Sequence, residues 1–172
     1  REYSVVWWGD SVRRMTTDPH ILHPGHAPTP FTAEEIRAGC PAGRTIRLAV
    51  RAGGGSHTRV IRFVACGEDG ATQQSQAFTE DGEPLGEPTV DWTSWSQFQG
   101  HASFAESKTT IDVEALNTPL GRLECHVYTV VDGEEITRFW FAVLRPGMPV
   151  KVEKTVNGEV VHTSTMVADG IS

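Results

Sequence analysis

Long apolar runs are absent from the sequence, and basic residues are outnumbered by acidic ones. No hydrophobic stretch approaches the roughly 18 residues that a membrane-spanning helix needs, so no membrane span is expected. Fifteen Lys and Arg residues stand against 22 Asp and Glu residues, which gives a formal net charge of -7. Proteins that bind nucleic acid neutralise its phosphates with clustered basic residues, and no such cluster is present. Nucleic acid is therefore not an expected partner.

Cysteine is also scarce. The three cysteines, Cys40, Cys66 and Cys125, have neither the close spacing of a zinc site nor the even number of a disulfide framework. Cys125 alternates with apolar residues, as a small buried hydrophobe does in a strand. A Cys40 to Cys66 bridge is compatible with an oxidising compartment, and the sequence does not decide whether it forms.

Length and composition indicate one globular domain over residues 1–172. With 38% hydrophobic and 22% charged residues, a chain of 172 residues can bury a core without staples. The chain begins at Arg1 without a signal-peptide pattern, as expected for a soluble cytoplasmic protein or for a secreted one whose leader has been removed. The sequence does not predict the oligomeric state.

Dipeptides that favour tight turns are the strongest structural signal. Asp-Gly and Asn-Gly tolerate the positive φ angles of two-residue hairpin turns and here separate strand-like runs. With Asp132-Gly133 as the turn, Val131 is expected opposite Glu134. The three hairpin signals are Asp69-Gly70, Asp132-Gly133 and Asn157-Gly158.

Most of the remaining chain alternates between strand-like runs and turns. Residues 9–30 contain several prolines and histidines and are expected to be irregular. Capping-box pairs, Thr32 with Glu35 and Ser94 with Gln97, predict the starts of two short helices. Strands are predicted at residues 3–8, 45–52, 58–66, 71–78, 108–113, 121–131, 134–143, 150–156 and 159–167.

These elements predict a mainly β fold. Consecutive strands joined by short connections form an antiparallel meander, and a long meander twists and curls until it closes or half-closes. We therefore expect a curved barrel or half-barrel with two short helices. A β-sandwich is the alternative, since the same strand spacing allows it.

The predicted hairpin at Asp132-Gly133 has two different faces. Leu123, Cys125, Val127, Trp140 and Ala142 make one face apolar, so it is expected in the core. A face that mixes aromatic bulk with polar anchors suits a small-molecule pocket, although a covering helix would also explain it. The other face has this mixed character and carries Arg122, Glu124, His126, Tyr128, Phe139 and Phe141.

Two constellations that contain histidine suggest chemistry. In a polyproline II conformation, with three residues per turn, His20, His23 and His26 would lie on one side and could bind a metal ion such as zinc. Pro-rich loops commonly carry solvated histidines without a metal, and no cofactor is predicted. Glu153 and His162, expected opposite each other, could form a general-base pair or a plain surface pair.

Three segments of the C-terminal half resemble a pattern in uncharacterised bacterial β-sheet proteins. The segments are 118–125 (TPLGRLEC), 139–142 (FWFA) and 146–153 (PGMPVKVE). They follow the order TPxGxFxC, YWFA and PGxPVKxE. The resemblance covers about a fifth of the chain and implies a fold similar to the half-open barrel of periplasmic lipoprotein carriers. It implies no catalytic residues.

Two functions from different classes follow from these features. The first is a non-enzymatic module that binds a small apolar or amphipathic molecule on the concave face of the sheet. The second is a small β-barrel enzyme, a cyclase, isomerase or hydrolase, in which Glu124, His126 or Tyr128 moves a proton. A purely structural or partner-binding domain is a third reading. An enclosed cavity with converging polar groups would distinguish among them.

Overall fold

The computed structural model describes residues 18–172, so the strand predicted at residues 3–8 lies outside the described residues. Within them, nine strands and two short α-helices are present. The helices are α1 (Ala33–Gly39) and α2 (Trp95–Gly100), and a 3₁₀ turn follows at Glu106–Lys108. The strands are β1 (Arg44–Ala52), β2 (Gly55–Cys66), β3 (Gly70–Phe78), β4 (Pro84–Ser94), β5 (Thr109–Thr118), β6 (Gly121–Asp132), β7 (Glu135–Ala142), β8 (Lys151–Val156) and β9 (Glu159–Ile171).

All nine strands form one antiparallel sheet in the order β4-β3-β2-β1-β9-β8-β7-β6-β5. Two meanders, β1 to β4 and β5 to β9, meet where β1 pairs with β9. The sheet is curved and does not close, so β4 and β5 are its edges. The mainly β, half-barrel prediction is confirmed, and the sandwich alternative is wrong because all the described strands belong to one sheet.

The predicted turn at Asn157-Gly158 is confirmed. Both residues have positive φ, 51° and 81°, and Val156 pairs with Glu159 across the turn. Positive φ at both central positions is the signature of a type I′ turn, which only residues such as Asn and Gly adopt at low cost. A hairpin also forms at Asp69-Gly70, where the longer connection Gly67–Asp69 joins β2 to β3.

The pairing predicted at Asp132-Gly133 is wrong by two residues. Asp132 pairs with Glu135, and Val131 lies opposite Ile136 rather than Glu134. The turn residues are therefore Gly133 and Glu134, and only Gly133 has positive φ, at 64°. Glycine at the first central position is the requirement of a type II′ turn. A shift of two residues keeps every side chain on its predicted face, because strand side chains alternate with period two.

The predicted pairing of Glu153 with His162 is also wrong. Strand β9 has an extra residue opposite β8, because Lys154 pairs with His162 while Thr155 pairs with Val160. This bulge moves Glu153 opposite Thr163. The carboxylate and the imidazole are therefore not cross-strand partners, and the general-base pair does not form.

Both predicted capping boxes are present, at the starts of α1 and α2. Strand β4 was not predicted, because Pro84, Gly86 and Pro88 interrupt its sequence. Proline is tolerated on an edge strand, and the pairing of β3 with β4 is irregular between Ser75 and Ala77, beside these residues. The edge position thus explains how a proline-containing segment joins the sheet.

Both faces of the sheet carry buried residues. We call the face that carries Ile46, Phe63, Phe139 and Phe141 the inner face, and the face that carries Trp140 the outer face. Segments 18–39 and 95–108, which we call the cap, pack against the inner face. None of the helices in residues 18–172 has the length and apolar character needed to cross a membrane.

On the outer face, Trp140 is only 2% exposed, and its cross-strand neighbour Val127 is fully buried. The charged groups of Arg138 and Lys151 lie 4.6 and 4.8 Å from the centre of the Trp140 ring. Cations over an indole face shield it from water while they remain hydrated themselves. The predicted burial of Trp140 and Cys125 is confirmed.

Candidate functional site

A cavity of about 280 Å³ lies between the inner face of the sheet and the cap. Five phenylalanines contribute to its walls, and most of the other lining residues are apolar. The lining residues from the sheet and the cap include Ile36, Ile46, Ile61, Phe63, Phe98, Phe104, Phe139, Phe141 and Met148.

Aromatic side chains pack one against the next along the walls of the cavity. Phe104 of the cap stacks on Phe139 of β7 with 4.9 Å between ring centroids, and Phe139 stacks on Phe141 at 6.2 Å. On the opposite wall, Phe98 of α2 lies 6.0 Å from Phe63 of β2. Aromatic rings add large apolar surface with few rotatable bonds, so these walls are preformed.

Hydrogen bonds join the two segments of the cap to each other, and a further bond ties α2 to the connection between β2 and β3. Gln99 of α2, which is 3% exposed, donates to Pro19 O at 2.8 Å and to Thr29 Oγ1 at 3.0 Å. Its side-chain oxygen accepts from the backbone of Ala33 at the start of α1, at 2.9 Å. Trp95 donates from Nε1 to Gly67 O at 2.9 Å. A single glutamine thus joins α1, α2 and the segment before α1, and fixes the roof of the cavity.

Two polar side chains at the cavity make no side-chain hydrogen bond to the rest of the described chain. Gln73 of β3 and His101, directly after α2, both line it. Within residues 18–172 neither side chain makes a hydrogen bond to another protein group. A glutamine amide has two donors and an acceptor, and an imidazole has one of each when neutral. As far as residues 18–172 are concerned, both groups keep their hydrogen-bonding capacity for a ligand.

A charged cluster lies beside the cavity, and among its three members Arg44 alone lines it. Arg44, which is 5% exposed, donates to both carboxylate oxygens of Asp169 at 2.9 Å, and Arg145 adds a third bond to the same carboxylate. Burial opposes ionisation of Asp169, but the hydrogen bonds and charges of Arg44 and then Arg145 lower its pKa below the usual value. The charges of the cluster are therefore paired with one another, so Arg44 does not present an unpaired charge to the cavity.

The six residues predicted to line a pocket are divided by the structure. Phe139 and Phe141 line the cavity. Tyr128 is buried beside them, with its ring 5.4 Å from Phe141, and its hydroxyl donates to Pro28 O at 2.6 Å. Burial raises the pKa of Tyr128 to about 12. Three do not line the cavity: His126, which is half-buried, and Arg122 and Glu124, which are exposed.

The wall that sequence reasoning missed comes from the N-terminal half of the sheet. The alternation of apolar residues in β1 and β2 indicates that Ile46, Ile61 and Phe63 share one face of the sheet, and this pattern is visible in the sequence. Their position opposite Phe139 depends on the pairing of β1 with β9, which no local turn specifies. The capping-box pair Ser94 and Gln97 predicted the start of α2 but not the surface that this helix covers.

The three predicted metal-ligating histidines do not converge. A turn at residues 23–26 replaces the expected extended conformation, and Gly25 has a φ of 79°. His20 bonds Thr29 O at 2.7 Å, and His26 bonds Ser103 Oγ at 2.8 Å. His23 and His26 remain close, with ring centroids 5.2 Å apart. Among residues 18–172, no three His, Cys, Asp or Glu side chains are grouped to hold a metal ion.

Solved structures show a similar architecture. One is MucB in complex with MucA(peri), with a TM-score of 0.55 and 12% sequence identity over 78% of this chain and 52% of that chain. The fold is similar to that of MucB. MucB alone gives a TM-score of 0.53 and 9% identity over 80% of this chain and 56% of that one. The chain therefore spans about half the length of these proteins.

The expected similarity of fold to periplasmic lipoprotein carriers is confirmed at the level of architecture. No protein-family model matches the chain, and no curated protein matches its sequence. At 9% to 12% identity to MucB, the likeness concerns the path of the backbone alone. The chemistry of the cavity has to be argued from the side chains of this chain.

Proposed function

We propose that this domain binds a small apolar or amphipathic molecule in the cavity between the inner face and the cap. The observation that carries the proposal is the preformed aromatic cavity of about 280 Å³. Cores normally fill such space with their own side chains, because unfilled volume costs stability. An apolar space with walls held by a buried hydrogen-bond network is typical of a ligand site.

The size and polarity of the cavity restrict the ligand. Ligand pockets commonly have volumes of about 300–1,000 Å³, so this one suits a compact molecule or a single apolar chain. The apolar part would contact the phenylalanines, and each Å² removed from water contributes about 25 cal/mol. A polar end would lie beside Gln73 and His101, whose hydrogen-bonding groups are free within the described residues.

The fold and the residue placement both favour binding over the predicted acid–base chemistry. Glu124, His126 and Tyr128 do not line the cavity, and the Tyr128 hydroxyl is already bonded to Pro28. MucB, which shares the fold, has been solved in complex with MucA(peri), so a protein partner is the competing outcome. A protein partner would bind to the exterior of the domain, and its binding would not require the space inside the cavity.

Titration with an uncharged fluorophore, N-phenyl-1-naphthylamine, tests the proposal. Ala102 lines the cavity and is half-buried, so Ala102→Trp should fill the space and weaken binding at least tenfold. Ala115 is exposed on edge strand β5, and Ala115→Trp serves as the matched control with unchanged affinity. Equal binding by both variants, or no binding by the wild type, would contradict the proposal.

A further inference from the structure

Cys40 and Cys66 lie against each other although 26 residues separate them. The Cys66 thiol donates to the backbone oxygen of Cys40 at 3.3 Å. Cys40 is completely buried at the C-terminal end of α1, whereas Cys66 is exposed at the end of β2. Cys125, the remaining cysteine, is buried on the outer face of the sheet. The structure thus brings together one accessible and one inaccessible thiol.

The backbone keeps the two cysteines adjacent. Gly43 N donates to Phe63 O at 2.8 Å, which fastens the segment after Cys40 to strand β2 shortly before Cys66. Cys40 is the C-cap residue of α1, and its backbone N–H donates to Arg37 O. These bonds hold the two cysteines side by side, and a disulfide between them requires their sulfur atoms to turn toward each other.

The Cys40 thiol also has a partner that favours its ionised form. Arg44 Nη1 lies 3.1 Å from Cys40 Sγ, and a guanidinium stabilises a thiolate. Burial nevertheless raises the pKa of Cys40, with Arg44 acting in the opposite direction, and burial raises the pKa of Cys66 as well. Neither thiol is therefore strongly activated alone. The pair has the arrangement of an exposed attacking thiol with a buried resolving thiol.

We propose that Cys40 and Cys66 are a redox site that closes to a reversible intramolecular disulfide by exchange with a small disulfide such as oxidised glutathione. The Cys66 thiolate attacks one glutathione sulfur, forms a mixed disulfide and releases one glutathione thiolate, which takes up a proton. The Cys40 thiolate then attacks the Cys66 sulfur and releases the second glutathione. Two protein thiols are oxidised to one disulfide, and one glutathione disulfide is reduced to two thiols.

Closure of this bond would tie the end of α1 to the end of β2 at the wall of the cavity. A cross-link of this span restricts the unfolded chain and should raise the Tm by about 10 °C. It would also replace the contact between Cys40 Sγ and Arg44, since the sulfur has to turn toward Cys66. The site is independent of the proposed ligand function, because it needs only the two thiols.

The test is incubation of the dilute full-length chain with oxidised glutathione, followed by maleimide trapping of free thiols and intact mass measurement. Wild type and the control Cys125→Ser should each lose two trappable thiols without gaining glutathione, and dithiothreitol should reverse the change. Cys40→Ser should stop with glutathione attached at Cys66. Peptide mapping of the wild type should recover Cys40 linked to Cys66, which keeps the test valid if a variant does not fold.

Three results would overturn the proposal. The first is stable glutathione on Cys66 of the wild type while Cys40 remains trappable. The second is a dimer linked between two chains. The third is no loss of thiols at all under conditions that oxidise a reduced control peptide with two cysteines.

Discussion

Replacement of Trp140 by alanine should destabilise the protein by about 3–5 kcal/mol. Trp140 is 2% exposed, and its removal uncovers the buried side chains of Cys125 and Val127 on the outer face. A buried aromatic side chain removes about 150–250 Å² from water, worth about 4–6 kcal/mol at 25 cal/mol per Å². Arg138 and Lys151 already lie over the ring, so they can settle into part of the vacated space and reduce the loss.

Urea unfolding monitored by circular dichroism measures this loss, and the Tm should fall by about 10 °C for a domain of this size. Trp92→Ala is the matched control, because Trp92 is 59% exposed on edge strand β4. It should change stability by no more than about 0.5 kcal/mol. Equal effects of the two substitutions would refute the reasoning that Trp140 covers a buried part of the outer face.

Further predictions concern the N-cap of α1, the buried ion pair of Asp169 and the three N-terminal histidines. Thr32→Ala removes the N-cap side chain of α1 and should lower the free energy of unfolding, measured in urea, by about 1 kcal/mol. Asp169→Asn breaks a buried ion pair and should cost about 3–5 kcal/mol. Because the pKa of Asp169 is lowered on folding, its contribution should be complete above the usual value of 3.8 and lost as the pH falls through the lowered pKa, as an acid titration of stability would show. Zinc should leave the Tm unchanged in wild type and in a variant with His20, His23 and His26 replaced by alanine, whereas a shift confined to wild type would establish a metal site.

Local signals in the sequence predicted local structure well. The capping boxes at Thr32 and Ser94 depend on residues three positions apart, and both are present. The predicted turn at Asn157-Gly158 was confirmed for the same reason, because it also depends on neighbouring residues. The turn at Gly133 shows the limit of such signals, because a glycine can occupy the first position of a type II′ turn or the second of a type I′ turn. The dipeptide alone does not distinguish these registers.

The candidate site was predictable only in part, because its walls come from distant parts of the chain. Phe139 and Phe141 lie in the hairpin that Asp132-Gly133 predicted, so this local signal was enough to assign their face of the sheet. Ile46 and Phe63 reach the same cavity only because β1 pairs with β9, more than 100 residues later in the chain. The roof depends on Gln99, a buried polar residue whose three hydrogen-bond partners are specified by tertiary structure. Neither relation leaves a periodic pattern in the sequence.

The most direct test of the cavity as a ligand site is an NMR titration of protein labelled with carbon-13 at the methionine methyl groups. Met148 lines the cavity, whereas Met166 is completely buried and is not among the lining residues, so it is an internal control. On addition of N-phenyl-1-naphthylamine, we predict a saturable shift of the Met148 methyl signal with little change at Met166. Saturable binding of the fluorophore with no shift at Met148, or with equal shifts at both methionines, would contradict binding in the cavity.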